Sequence, residues 1–319
     1  MSVLLSLLAL ILHATLLIAA APVVSGFVRV VEARLSGRRG PATLQPWRDL
    51  ARLARKQPVV ADSASFVTLG APVVALAVTL PAALLVPSFT LGMASAPAAD
   101  LLVVAGLLAS ARVALALAAM DAGTGFGGMG ASRAMLVALF SEPALLLVAL
   151  IFVALVGTSN LDAIAAALRE GAAGARLSIG VALVVMAMVA LAANGRLPVD
   201  DPAAACEPGM AGGAQSLEYS GWLLAMIEFS GSLRLLTWFG LLGTLFMPMA
   251  LAPAGAGPLA WLPAMLGWAL RTGAGCVAIG VLELAAGRMR LFRVPAFLGA
   301  ALLLGLLGAV FLFAGGRLA

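Results

Sequence analysis

Glu142, Glu228, Asp121 and Glu283 are carboxylates set in, or at the ends of, long apolar runs, and Arg112, Arg234 and Arg271 are arginines set in runs of the same kind. A charged side chain at the centre of a bilayer costs roughly 2.5–3.5 kcal/mol on insertion scales, so a chain that keeps several has a use for them. Glu142 stands immediately before Pro143. Proline lacks an N–H and leaves a carbonyl one turn earlier without its partner, which gives water or a polar side chain somewhere to bind. Buried carboxylates hold protons more tightly than solvated ones, and a line of them can pass protons along. The plainer alternative is a set of static ion pairs holding helices together.

A second group lies in a polar interruption over residues 194–221, which carries Arg196, Asp200, Asp201, Glu207 and Glu218 and runs straight into the apolar stretch holding Glu228 and Arg234. It reads as an acidic cytoplasmic loop that couples events at the membrane surface to the charges below it. A basic segment over residues 29–62 includes Arg34, Arg38, Arg39, Arg48, Arg52, Arg55 and Lys56. Gly40-Pro41 breaks this segment and Pro46 can start a short helix. On that helix Trp47, Leu50, Leu53 and Ala54 share one face, while Arg48, Arg52 and Arg55 take another, as on a helix lying on the membrane surface.

The elements that must position these residues follow from composition. With 63% hydrophobic and 10% charged residues, the chain is no ordinary soluble domain. Its 35 glycines and 17 prolines suit close-packed, kinked helices in a bilayer. Apolar runs at about 2–28, 63–87, 100–120, 134–157, 177–193, 217–249, 259–285 and 294–314 predict eight spans in a single transmembrane domain over residues 1–319. The first begins like a signal peptide, with Ala19-Ala20-Ala21-Pro22, but it has no basic leader and its apolar run is too long, so it reads as a helix. The fold expected is an all-α polytopic membrane protein with a short cytoplasmic surface helix. On this count Glu142 lies ~13 Å below the cytoplasmic surface.

Basic residues alternate with the spans: the odd-numbered loops carry the 29–62 segment, Arg133, Arg196, and Arg288, Arg290 and Arg293. The even-numbered loops carry Arg169 and Arg176, balanced by Asp162 and Glu170. The positive-inside rule therefore puts both termini on the outer side of a bacterial inner membrane. The net charge of +5 belongs to this pattern and not to nucleic-acid binding. No internal repeat of the kind that marks secondary transporters is visible.

Gly123-Thr124-Gly125-Phe126-Gly127-Gly128 fits the dinucleotide pattern, but that fingerprint needs a βαβ unit, and here two spans flank it. What remains there is a glycine turn between Asp121 and Arg133. Cys206 and Cys276 are far apart and His13 is the single histidine, so the chain offers no zinc, iron–sulfur or disulfide framework. His13 reads as a packed or lipid-edge residue.

Arg34-Leu35, Arg38-Arg39-Gly40-Pro41 and Leu44-Gln45-Pro46-Trp47-Arg48-Asp49-Leu50 resemble the first cytoplasmic loop of the complex I subunit 1 family. Arg196-Leu197-Pro198-Val199-Asp200 and Glu218-Tyr219-Ser220-Gly221 resemble its later loop. The short first loop, Pro198-Val199-Asp200-Asp201-Pro202 and Gly125-Phe126-Gly127-Gly128-Met129-Gly130-Ala131-Ser132-Arg133 are similar to the hydrogenase-4 and formate hydrogenlyase branch. The resemblance implies a membrane anchor and coupling subunit between a peripheral [NiFe]-hydrogenase-like arm and antiporter-like membrane subunits. It implies no cofactor on this chain: iron–sulfur clusters and a [NiFe] centre would belong to a large subunit and an iron–sulfur subunit. By the same resemblance Glu142 and Glu228 join a proton path, with Asp121, Glu283, Arg112, Arg234 and Arg271 beside them. Asp200, Asp201, Glu207, Glu218 and Arg196 form the coupling loop, and Arg34, Arg38, Arg39, Arg48 and Arg133 dock the arm. The chain departs from the branch at Ala134, Ala205, Gly212 and Gly213, where titratable groups are common. Rival readings are a quinone-reactive subunit with a cavity between spans one, six and the surface helix, a stand-alone transporter, and a purely structural anchor.

Overall fold

The computed structural model describes residues 3–61, 63–171, 177–196, 199, 215–285 and 293–315. Ten α-helices follow one another among the described residues: α1 (Val3–Leu35), α2 (Gln45–Ala54), α3 (Phe66–Leu85), α4 (Leu101–Asp121), α5 (Gly125–Val156), α6 (Leu161–Arg169), α7 (Leu177–Ala193), α8 (Gly221–Phe246), α9 (Pro258–Ala285) and α10 (Val294–Gly315). Seven are long and apolar enough to cross a membrane, and α7 is a shorter apolar helix of 17 residues. The chain is an all-α, polytopic membrane protein, as its composition predicts.

Helix ends are set by local chemistry. Ser65, Asp100, Thr124 and Asn160 each turn a side-chain oxygen onto a free N–H at the start of α3, α4, α5 and α6. Gly157 ends α5 at φ +86°, a left-handed conformation that glycine adopts without strain. Two boundaries differ from expectation. The first helix runs beyond 28 to Leu35, because Arg29–Arg34 is free of glycine and proline, and it stops at Gly37 (φ +71°). The glycine turn before Arg133 is helical: α5 begins at Gly125, capped by Thr124, so Glu142 sits ~26 Å along its helix from that end.

Helix α8 is the most enclosed span and forms the hub. On one side α1 and α9 pack on it through Leu17, Ala21, Val28, Leu233, Leu236 and Trp268. On the other, Trp238 and Leu241 join a core with Val104 of α4, Val148 and Phe152 of α5, and Met186 of α7. Helix α10 closes that lobe, its Gly305 and Gly308 admitting Leu147, Ile151 and Val181 within van der Waals reach. Helix α2 lies across α1 and α8, its proline end seated where Gly26 offers no side chain to Thr43 and Pro46.

Candidate functional site

Arg112 reaches from α4 to α5, where its Nη1 donates to Glu142 Oε1 at 3.1 Å and to Ser141 Oγ at 3.4 Å. The arginine is enclosed, with 12% of its side chain exposed, but 41% of the Glu142 side chain is open. The pair sits in a cleft of about 190 Å³ whose other walls include Gly106, Ala109, Val189 and Trp238. Trp238 belongs to α8, so the cleft touches the hub.

Four residues earlier on α8 than Trp238, at Arg234, lies a cavity of about 400 Å³ between α1, α2 and α8. Glu228, Arg234, Arg196, Arg29 and Asp49 line it. Among the described residues Glu228 makes no ion pair, and Arg234 Nε is buried without a hydrogen-bond partner. Arg234 also lies within the field of Arg112. Arg234 therefore lines the Glu228 cavity and also feels the charge of Arg112, which holds Glu142 in the neighbouring cleft.

Arg196 follows α7 and points back into the bundle. Its Nη1 donates to Glu32 Oε1 at 2.8 Å and to Glu283 Oε1 and Oε2 at 3.3 and 3.5 Å. Glu32, on α1, is a member that sequence reasoning missed. It was absorbed into a basic stretch, and its partner lies 164 residues away.

Asp121 is held by backbone and hydroxyl groups, and Arg271 by backbone carbonyls. Asp121, the last residue of α4, accepts from the N–H and hydroxyl groups of Ser65 (2.8 and 2.7 Å) and Thr68 (3.2 and 2.6 Å), so it closes the start of α3. Arg271 donates through Nη1 to the carbonyls of Gly243 and Met247, both at 3.0 Å, and through Nη2 to that of Ser88 at 2.7 Å. That places a cation at the electronegative end of α8. His13 is packed and not at a lipid edge: it is fully buried, 2.7 Å from Ser88 Oγ.

The Glu218-Tyr219-Ser220-Gly221 motif fastens the start of α8 to the first turn of α3 and the residues before it. Tyr219 donates its hydroxyl to Thr68 O at 2.9 Å, and Ser220 Oγ accepts from Val59 N at 2.7 Å. Gly221 takes φ +59° where any Cβ would meet the carbonyls of Lys56 and Gln57 at 2.6 and 2.7 Å. Burial, with the charge of Asp121 second, pushes the Tyr219 hydroxyl up to about 12. Glu218 is half-buried beside this knot, and Arg133 is half-buried on α5, whereas Arg34, Arg38, Arg39 and Arg48 are exposed. Asp200, Asp201, Glu207, Ala205, Gly212 and Gly213 lie outside the described residues.

A helical bundle of membrane-crossing length with ion pairs in its interior defines a polytopic membrane protein. Its family follows from a match over residues 7–314: the chain belongs to the NADH dehydrogenase family, the group of complex I subunit 1. It is 36% identical over 152 residues, 48% of this chain and 50% of the relative, to formate hydrogenlyase subunit 4 of Escherichia coli (strain K12). It is 31% identical over 159 residues, 50% of each, to hydrogenase-4 component C of the same organism. The chain thus spans about half the length of the curated relatives it matches. A chain in the structure of the membrane-bound sulfane sulfur reductase, an archaeal respiratory membrane complex, shares the fold at a TM-score of 0.78 and 21% identity, covering 95% of this chain and 99% of that one.

Proposed function

We propose that this protein is the membrane anchor and coupling subunit of a hydrogenase-4 or formate-hydrogenlyase-like complex, linking electron transfer in a peripheral arm to proton translocation. The observation that carries the reading is the pair of charged sites inside the bundle: Glu228 and Arg234 line the cavity under α2, and Arg112, whose charge Arg234 feels, holds Glu142 with its carboxylate part-open. A carboxylate half-open on the flank of a span is poorly matched to lipid and well matched to a polar group of a neighbouring subunit. Redox events in the arm act on the 194–221 segment, and through Arg196 and Arg234 they change how strongly Glu228 and Glu142 hold protons.

In this reading both termini face outward and the exposed Arg34, Arg38, Arg39 and Arg48, with Arg133, receive an acidic face of the arm. Iron–sulfur clusters and any [NiFe] centre reside in the partner large and iron–sulfur subunits, and antiporter-like subunits adjoin Glu142. The test is Glu142→Gln and Glu228→Gln in the intact complex, read as proton translocation per electron. Assembly with translocation lost supports the reading; full coupling in both variants defeats it.

One observation favours a second reading. The 400 Å³ cavity lies between α1, α2 and α8, where a quinone-reactive subunit would need one. Reduction of a soluble quinone analogue by the purified complex, abolished by filling the cavity with Gly231→Phe, would establish it.

A further inference from the structure

We infer that Glu32, Glu283 and Arg196 form a proton-holding site, two carboxyl groups sharing one proton under one guanidinium, which ties the segment after α7 to α1 and α9. The holding of that proton at rest stands on the geometry below; its exchange during turnover rests on the coupling function proposed above.

Arg196 Nη1 touches both acids, at 2.8 Å to Glu32 and 3.3 Å to Glu283. All three side chains are enclosed: Arg196 is 10% exposed, Glu32 26% and Glu283 6%. Both carboxyl groups lie against the same Nη1, which brings them close enough to interact with each other. Two ionised carboxylates at that distance repel, and one guanidinium leaves a net negative charge in a poorly solvated place. Uptake of one proton forms an O–H bond on either acid, turns the repulsion into a hydrogen bond, and makes the trio neutral.

The surrounding charges do not supply the missing positive one. Arg29 on α1 and Arg234 on α8 face the same cavity as Arg196, but Glu228 on α8 and Asp49 on α2 face it too, and Asp49 is already bound to Arg52. From α9 the nearest other titratable group in the field of Arg196 is the buried thiol of Cys276. Among the described residues no second cation contacts either acid.

The position of Arg196 gives the site a control. It is the first charged residue after α7, at the root of the 194–221 segment, and it lines the cavity that holds Glu228. While the guanidinium lies against the acids it favours their ionised forms. Drawn into the cavity, it leaves the remaining carboxylate without its cation, which favours binding of a second proton there. Displacement and return of the Arg196 guanidinium thereby become uptake and release of that one proton.

The experiment is infrared spectroscopy of the purified, intact complex near neutral pH, comparing wild type with Glu32→Gln and with Glu283→Gln. Each variant leaves one carboxylate balanced by Arg196, so each should lose the same single carboxylic-acid C=O band, and Arg196→Lys should keep it. Arg196→Gln should make the band persist to higher pH. Spectra without this loss in both glutamine variants overturn the site. Should a glutamine variant fail to assemble, Glu32→Asp is read instead: a displaced band supports the shared proton and an unmoved one refutes it. Coupled proton movement in the glutamine variants should fall about tenfold or more. Band loss with coupling intact would keep the proton site and remove it from the path, a result separate from the fate of Glu142 and Glu228.

Discussion

The Arg112 guanidinium and the Glu142 carboxylate meet at 3.1 Å with unequal cover, the arginine 12% and the glutamate 41% exposed. The asymmetry decides what each substitution does. Glu142→Leu strands an enclosed cation that has only Ser141 left to bind, whereas Arg112→Met leaves a carboxylate that can protonate or turn outward. We expect Glu142→Leu to destabilise the purified protein by about 3 kcal/mol, Arg112→Met by less, and the double variant to recover most of the loss. A double-mutant cycle from denaturation in detergent measures this, and strictly additive losses would mean that the pair contributes no coupling energy.

Small residues set how closely α2 approaches the bundle. In a helix interior, alanine ordinarily gains about 0.5–1 kcal/mol over glycine. At Gly70 a Cβ meets nothing within 4 Å, so Gly70→Ala on α3 should realise that gain. At Gly26 the same methyl would collide with the Thr43 carbonyl and press on Pro46, pushing α2 off α1. Gly26→Ala should therefore lower stability despite its better helix propensity, and should open the Trp47 indole to quenchers, since that side chain now donates to Ala19 O at 3.1 Å. A stabilised Gly26→Ala protein would contradict the seating described here.

Tyr219 gives a pH dependence with a definite sign. Its hydroxyl titrates near 10 in an unfolded chain and is pushed up to about 12 here, so the folded state prefers the neutral phenol that donates to Thr68 O. A raised value in the folded state means stability that is fully present below pH 10 and lost as pH rises toward 12. Tyr219→Phe should cost about 1 kcal/mol at neutral pH by leaving the Thr68 carbonyl without this donor. It should also flatten the alkaline loss of stability. Thermal midpoints of both proteins across pH 8 to 12 provide the measurement, since curves that stay parallel would exclude Tyr219 as the titrating group.

Much of this architecture was readable from residues alone, and the failures have physical causes. Glu142, Glu228, Arg112 and Arg234 stand out because a charge among apolar neighbours is costly wherever the helix ends, so singling them out does not depend on exact boundaries. The extent of α5 does depend on them: Gly125–Gly130 looks like a turn by composition, yet Thr124 caps it and the helix begins there. Asp121 and Arg271 also stand out as charges, but Asp121 binds N–H and hydroxyl groups at the start of α3 and Arg271 binds carbonyls at the end of α8 and after α3, partners that the charge pattern does not reveal. Glu32 was overlooked because its meaning arises only when α1, the end of α7 and α9 are brought together.

Arg271 is the sharpest test of charge kept for architecture against charge kept for transport. It stands on α9, and its two terminal nitrogens hold the carbonyls of Gly243, Met247 and Ser88. The first two belong to the end of α8, where the helix has no further N–H groups to offer and where a cation meets the negative end of the dipole. The third belongs to the turn after α3, so one guanidinium ties three segments together. Arg271→Met removes every donor at once and leaves the part-buried carbonyls of Gly243 and Ser88 stranded, while that of Met247 is exposed to its surroundings. We expect a loss of about 2–4 kcal/mol, with reduced assembly at 37 °C in cells, because stranded buried acceptors cost about 1–3 kcal/mol each and do not add in full. Arg271→Lys keeps the charge but cannot fork across the three acceptors, and should recover about half of the loss. The decisive readout is coupling in whatever complex assembles. If Arg271 serves as a cap, the lysine variant moves as many protons per electron as wild type while unfolding at a lower temperature. If it lies on the proton path, coupling falls out of proportion to stability.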